Sequence, residues 1–299
     1  MPGNPSKKHT AWFIILVLIV FLFSTHEVTT AQPVETLVVT FIDVGQGDSS
    51  LLRTSSGTDI LIDAGPESAG ETVLSFLTAE GITELDVIVI SHNHADHLGG
   101  LVEVLQSPIT VGQILYNGND CTTLICQDVW AEIGKRGMTP QAVDAGDSFT
   151  WGSVTTAVLN PQTTATGDEN EDSIVMHVDF YEVDLLYTGD IGSAAETTLL
   201  DSGALIPIEL LKVAHHGSDA STSSEFLTAV TPQVAVISVG AENAYGHPGE
   251  ETLNRLVDLE IAVHRTDLEG TLTFTFLPEG FAPEPILIYF PLIRSKGEK

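Results

Sequence analysis

Leu85-Asp86-Val87-Ile88-Val89-Ile90 runs straight into Ser91-His92-Asn93-His94-Ala95-Asp96-His97, and Leu98-Gly99-Gly100-Leu101 follows. The first segment is β-branched and apolar but for one residue, the pattern of a buried strand. Three imidazoles and a carboxylate stand where that strand stops, at the mouth of a sheet, and nitrogen and oxygen donors gathered there suit a divalent metal. An exposed polar turn is the plain alternative. Histidine is scarce, however, and three of the ten in this chain fall in this one loop beside an aspartate.

Outward from that loop the chain alternates strands and helices. Residues 36–44 are β-branched and alternating until Gly45-Gln46-Gly47-Asp48 breaks them. Short strands around 50–53 and 59–63 flank the Ser55-Ser56-Gly57 turn, so the domain opens as a meander. Helices are predicted over 69–80, 98–106, 122–136, 192–201, 223–230 and 249–258. Further strands are predicted near 111–116, 154–159, 173–180, 183–188, 208–214, 232–238, 261–265 and 271–277. The rhythm belongs to an α/β fold. No long linker, charge block or repeat interrupts it, which gives a single domain from about residue 35 to about 280 and a C-terminal tail or edge strand over 281–299.

Two later strands end as the first one does, one at Gly189-Asp190 and one at His215-His216. Asp63 closes another, either as a turn cap or as an acceptor that orients the histidine loop. Buried strands of an α/β sandwich bring such ends to one edge, where ligands bind. His177 and His264 lie within strand segments and read as ordinary strand residues.

At 299 residues and 43% apolar content the chain can build a sizeable core. Lys7, Lys8 and His9 precede an unbroken apolar run from Ala11 to Phe23, and a small-residue step at Thr29 and Ala31 follows. That run is short for a membrane span and suits a signal peptide over residues 1–31, with an uncleaved N-terminal anchor as the alternative. The expected location is secreted or extracytoplasmic, and any membrane attachment would be through that anchor. In an oxidising compartment Cys121 and Cys126 read as a local disulfide. The chain carries 41 acidic against 11 basic residues; without Lys7, Lys8 and Glu27 of the leader the balance is 40 against 9. Such a surface repels a polyanion and lacks the clustered cations of a stable nucleic-acid-binding surface. Lys212 and Arg265 are the basic residues expected to offset charge near a substrate.

His92-x-His94-x-Asp96-His97, together with Asp190 and a strand-terminal histidine, resembles the metallo-β-lactamase superfamily. Within it the chain is similar to the hydrolase domain of ComEC-type competence proteins, over roughly residues 38–275. The residues that carry the likeness are Phe41-Ile42-Asp43-Val44-Gly45-Gln46-Gly47-Asp48, Leu61-Ile62-Asp63, Asp168-x-Asn170-x-x-Ser173-Ile174-Val175, Thr188-Gly189-Asp190-Ile191, Lys212-Val213-Ala214-His215-His216-Gly217-Ser218 and Tyr245-Gly246-His247-Pro248. The resemblance implies an αββα sandwich with two divalent ions, zinc or manganese, along one edge. His92 and His94 would hold the first, Asp96, His97 and His216 the second, and Asp190 would bridge them. It implies a hydroxide between the ions for attack on phosphorus or a carbonyl. Asp96, His215 and His247 take catalytic parts by the same resemblance: His215 orients His216 or donates to substrate, and His247 contacts a phosphate or protonates the leaving group. Asp63 would support the ligands, and Asn170 and Ser173 would shape the pocket.

The chain departs from that pattern in two ways. The polytopic membrane region and oligonucleotide-binding-fold domain of ComEC-type proteins have no counterpart in these residues, so the resemblance carries hydrolase chemistry and not DNA uptake. The loop from Pro161 to Asp172 lacks the third metal-site histidine of many superfamily members, so one ion is expected to have fewer protein ligands and to exchange more readily. The expected activity is a secreted metal-dependent phosphodiesterase, either a nuclease or an enzyme of a small phosphodiester. Hydrolysis of a lactone, lactam or thioester is the alternative. A non-catalytic binding protein is disfavoured, because every matching ligand position is filled.

Overall fold

The structure is a computed structural model that describes residues 34–163 and 165–281, with positions 1 and 3. The chain divides into Met1–Pro33 and Val34–Lys299, and the fold is that of the second unit. The signal peptide or N-terminal anchor expected over residues 1–31, but for positions 1 and 3, and the tail beyond Phe281 lie outside the described residues.

Two sheets carry the architecture. The first contains β1 (Leu37–Phe41), β2 (Ser50–Thr54), β3 (Asp59–Ile62), β4 (Glu84–Ile90), β5 (Thr110–Tyr116) and β6 (Gln141–Ala142). The second contains β7 (Ser148–Trp151), β8 (Val154–Asn160), β9 (Val175–Phe180), β10 (Val183–Tyr187), β11 (Leu210–Lys212), β12 (Val234–Ile237) and β13 (Ala262–Arg265). The chain then returns to the first sheet with β14 (Leu272–Leu277) and β15 (Gly280–Phe281), giving the orders β15-β14-β1-β2-β3-β4-β5-β6 and β13-β12-β11-β10-β9-β8-β7. The expected meander is present, with β1, β2 and β3 antiparallel in sequence. β3 through β6 and β10 through β13 are parallel runs.

Side-chain alternation builds the layers. Val87 and Val89 of β4 face the other sheet, where they join Phe41, Ile62, Met176, Leu185, Tyr187, Leu210 and Val236 in the central core. Ile88 and Ile90 point the opposite way, under α1 (Gly70–Ala79), α2 (Ala95–Leu98), α3 (Leu101–Gln106) and α4 (Leu124–Lys135). On the far side Leu186, Leu211 and Ala235 are covered by α5 (Ser193–Ser202), α6 (Ser224–Val230) and α7 (Glu250–Asp258), while α8 (Thr266–Glu269) links β13 to β14. Strands apolar on both faces are what a sheet covered by helices on one side and a second sheet on the other requires. The result is the αββα sandwich.

Three local readings change. The helix predicted over 98–106 starts only at Leu101 as α3, with Leu98 closing the separate α2, because the Gly100 N–H leaves the helical ladder for the Gly65 carbonyl at 2.9 Å; Gly99 and Gly100 also sit so close to the backbone of Pro66-Glu67 and Ala64 that no Cβ fits. The strand predicted over 208–214 is β11 alone, and the chain turns sharply after it. Edge strands β6 and β7 form where no strand was expected. Cys121 and Cys126 are joined by a disulfide.

Candidate metal centre

Because the parallel strands of both sheets point one way, their C-terminal ends share an edge. Asp63 follows β3, the histidine loop follows β4, Asp190 follows β10 and His215-His216 follow β11. Asp190 is placed by a tight turn: Gly189 has φ +49°, and a Cβ there would stand 2.7 Å from that of Ser173. The Ser173 hydroxyl accepts the Asp190 N–H at 3.1 Å. His215 and His216 both take left-handed backbone (φ 49° and 53°), so the pair is a turn and the two rings diverge. His216 is buried; His215 remains at the mouth.

His97 is fully buried with its Nδ1 on Asp63 Oδ2 at 2.8 Å and its Nε2 aimed at Asp190 Oδ2 at 3.2 Å. Asp63 also accepts the Ser91 N–H at 2.8 Å and the Ser91 hydroxyl at 2.7 Å, so the carboxylate fixes both the loop and the ring. His216 is held alike. Its Nδ1 lies 3.0 Å from the Ser238 carbonyl and 3.2 Å from Asp48 Oδ1, and its Nε2 lies 3.3 Å from Asp96 Oδ2 and 3.4 Å from Asp190 Oδ2. Beside them His92 Nε2 and His94 Nδ1 are 3.0 Å apart, and the His92 and His97 rings are 4.1 Å apart between centroids.

The donor set fits a cation. His97 Nε2, His216 Nε2 and Asp190 Oδ1 are buried with no hydrogen-bond partner, a costly condition unless something binds them. Without a metal, protons take the cation's place. Burial opposes charge on His97 and His216, but Asp190 with Asp63 or Asp48 outweighs it and raises both well above the usual histidine value. Burial likewise opposes ionised Asp190, yet His216 and His97 hold it well below the usual carboxylate range. Burial and the neighbouring His97 push His92 well down, which leaves a free imidazole lone pair.

A family model described as the metallo-beta-lactamase superfamily matches residues 42–241. The chain belongs to the metallo-β-lactamase superfamily. Among curated proteins, "ComE operon protein 3" of Bacillus subtilis (strain 168) is 31% identical over 255 residues, covering 80% of this chain and 33% of that protein. "Competence protein ComA" of Neisseria gonorrhoeae is 34% identical over 261 residues, covering 87% and 35%. The chain spans about a third of the length of these relatives. Among solved structures, the metallo-beta-lactamase fold protein YhfI from Bacillus subtilis aligns with a TM-score of 0.56 at 16% identity, over 81% of this chain and 99% of that one. CmlA, a diiron beta-hydroxylase from Streptomyces venezuelae, aligns at 0.55 and 16%, over 82% and 55%. These two share the fold. Superfamily membership and the ligand cluster together make this chain a metal-dependent hydrolase.

In this superfamily member all six residues expected to hold metal converge at the sheet edge. Asp63 supports His97. Asn170 and His215 meet at the mouth, with Asn170 Nδ2 3.5 Å from His215 Nε2. Ser173 is fully buried and props Asp190 from behind. His215 makes no hydrogen bond to His216 and lies 4.0 Å from Asp190. His247 stands over the cluster, with its ring 5.5 Å from that of His215 and 6.4 Å from that of His216. Its Nδ1 is buried without a partner. Burial, then the neighbouring His215 and His216, lower its pKa below the usual histidine value. His177 and His264 pair with Asp184 and Glu269, away from the cluster.

Three residues sit otherwise than the sequence implies. Asp48 was quoted as part of a motif and given no site role, yet it lies within 4.8 Å of His97, Asp190 and His216. Its oxygens meet Lys212 Nζ at 2.6 Å and His216 Nδ1 at 3.2 Å, so it braces His216 from the side away from Nε2. Lys212 was expected near substrate, but it is 1% exposed, locked between Asp48 and the Val213 carbonyl at 2.9 Å. An alternating strand would have turned it the same way; what sequence did not reveal was a carboxylate waiting in the core. Arg265 is likewise committed, with two bonds to Asp267.

Proposed function

We propose that this protein is a phosphodiesterase working with two divalent ions, zinc or manganese. His92 and His94 would hold one, Asp96, His97 and His216 the other, and Asp190 would serve as a shared ligand. The observation that carries the reading is the meeting of unpartnered His97 Nε2, His216 Nε2 and Asp190 Oδ1 beside the His92–His94 pair. When bound, the ions supply Lewis acidity and lower the pKa of water. The chain's own work is to present the donors. Asp63 accepts the Nδ1 proton of His97 and the Ser238 carbonyl that of His216, with Asp48 beside it, so each Nε2 lone pair faces inward, the arrangement that orients metal-binding imidazoles. Ser173 fixes Asp190. His247, partly exposed over the cluster, offers an N–H to a substrate oxygen or leaving group, and Asn170 orients His215 beside it.

The apolar leader and the Cys121–Cys126 disulfide support an extracytoplasmic location. Carboxyl-type hydrolysis of a lactone, lactam or thioester is the second reading. It draws on one observation: all six Lys and Arg residues among the described ones are engaged within the protein, so none is free to meet a phosphate. Arg53 binds Asp59 and Glu80, Lys135 binds Glu132, and Arg136 and Arg255 bind backbone carbonyls. Lys212 and Arg265 are paired with Asp48 and Asp267. Metal analysis of purified protein, then assay against bis(p-nitrophenyl) phosphate, single-stranded DNA and a lactone panel, separates the two. Cleavage of lactones alone by fully loaded protein overturns the phosphodiesterase reading.

A further inference from the structure

Among the described residues no unpaired lysine or arginine borders the ligand cluster, so a phosphodiester there needs another source of affinity, and the rim of the site holds one. Tyr245 is among the most exposed large apolar residues, at 71%, yet its loop is clamped. The Asn243 side chain accepts the Tyr245 and His247 N–H groups at 3.1 Å each and donates to the Gly240 and His247 carbonyls at 2.9 and 2.6 Å. Every hydrogen-bonding direction of that amide is spent on holding the turn. The tyrosine ring lies 27° from parallel to the His247 ring, with centroids 5.8 Å apart. His247 in turn stands 6.4 Å from the ring of His216. An aromatic face is therefore fixed two ring-steps from the ligand cluster and left to solvent.

We infer that Tyr245 is a stacking platform for a flat ring flanking the scissile phosphate, so that the substrate is a nucleotidyl phosphodiester read by its base and not by a polyanionic backbone. The inference rests on the phosphodiesterase reading. Stacking of one base on one aromatic ring strengthens binding by roughly five- to a hundredfold and tolerates any base, because every base has a π face. It also needs no counterion release, which matches a surface with no free lysine or arginine among the described residues. Short single-stranded ends or small nucleotide esters can lay a base on the rim. A base paired within a duplex cannot.

The test compares dithymidine monophosphate with the same sugar–phosphate backbone carrying no bases, using manganese-loaded full chain. Wild type should prefer the base-bearing dinucleotide in kcat/KM by about tenfold, chiefly through KM. Tyr245→Ala should bring that ratio close to one, and Tyr245→Trp should keep it. A second readout is free of turnover: a phosphorothioate dinucleotide containing 2-aminopurine should lose fluorescence on binding to wild type, and not on binding to Tyr245→Ala. Absence of base preference in wild type, an unchanged ratio in Tyr245→Ala, or quenching that ignores Tyr245 overturns the platform. Tyr245-dependent quenching with no phosphodiester cleavage overturns the phosphodiesterase reading and leaves the platform standing.

Discussion

Replacing Asp63 by asparagine changes one atom and reaches the metal centre through a proton. The carboxylate accepts the Ser91 N–H, the Ser91 hydroxyl and the His97 Nδ1 proton, all within 2.8 Å. Asparagine has one acceptor and one donor group to put there. If its oxygen faced His97, its NH2 would point at the Ser91 N–H, leaving a buried donor pair unmet at about 1–3 kcal/mol. The other orientation keeps Ser91 N–H on the oxygen and turns the NH2 toward the Ser91 hydroxyl and His97 Nδ1, both able to accept. That orientation wins, and it forces His97 into the tautomer with its proton on Nε2. The proton then points at Asp190 Oδ2, 3.2 Å away, and occupies the lone pair a metal would use. Loss of such a supporting bond weakens metal binding by roughly 10–100-fold, about 1.4–2.7 kcal/mol. Chelator competition should show that loss on the ion bound by His97, and the metal-free protein should also melt earlier, because Asp63 is one of the two carboxylates that hold the His97 proton. Unchanged metal affinity in Asp63→Asn, at full folding, would refute the orientation argument.

Asp190→Asn should lower total metal content and abolish hydrolysis, since it removes the charge shared by both histidines; full occupancy and activity measured by elemental analysis and assay would remove Asp190 from the bridge. Lys212→Met strands the Asp48 carboxylate in the core and should cost about 3–5 kcal/mol in chemical denaturation, most of it recovered in Lys212→Met/Asp48→Asn; equal losses in single and double variants would deny the pairing. In metal-free protein the raised pKa values of His97 and His216 contribute stability that is complete below the unfolded value of about 6.5 and disappears as pH rises through their folded values. The lowered pKa of Asp190 contributes stability that fades as pH falls below about 4. Melting curves with chelator should therefore decline toward alkaline pH while those with metal do not, and parallel curves would contradict the proton-for-metal exchange. DNA binding should show a shallow salt slope, no steeper than roughly two phosphate contacts; a steep fall with salt would reveal a basic surface that residues 34–281 do not present.

Patterns that repeat over a few residues were legible without coordinates. The alternation in residues 85–90, the histidine loop after it, and the Gly-Asp and His-His strand ends identify the sheets and the ligand types, because a strand's two faces and a loop's donors are written locally. The edge strands β6 and β7 were not legible, since Gln141–Ala142 is too short to show a period and Ser148–Trp151 alternates over only four residues. The pairing of β1 with β14, which returns the end of the domain to its beginning, joins residues more than 200 apart and has no local signature. The same holds within the site. His92, His94, Asp96 and His97 were named by spacing. That Asp63 belongs to His97 and Asp48 to His216, and that Lys212 is spent inside the core, depended on which loops the two sheets bring to one edge. A buried charge is placed by its partner, and the partner is chosen by topology.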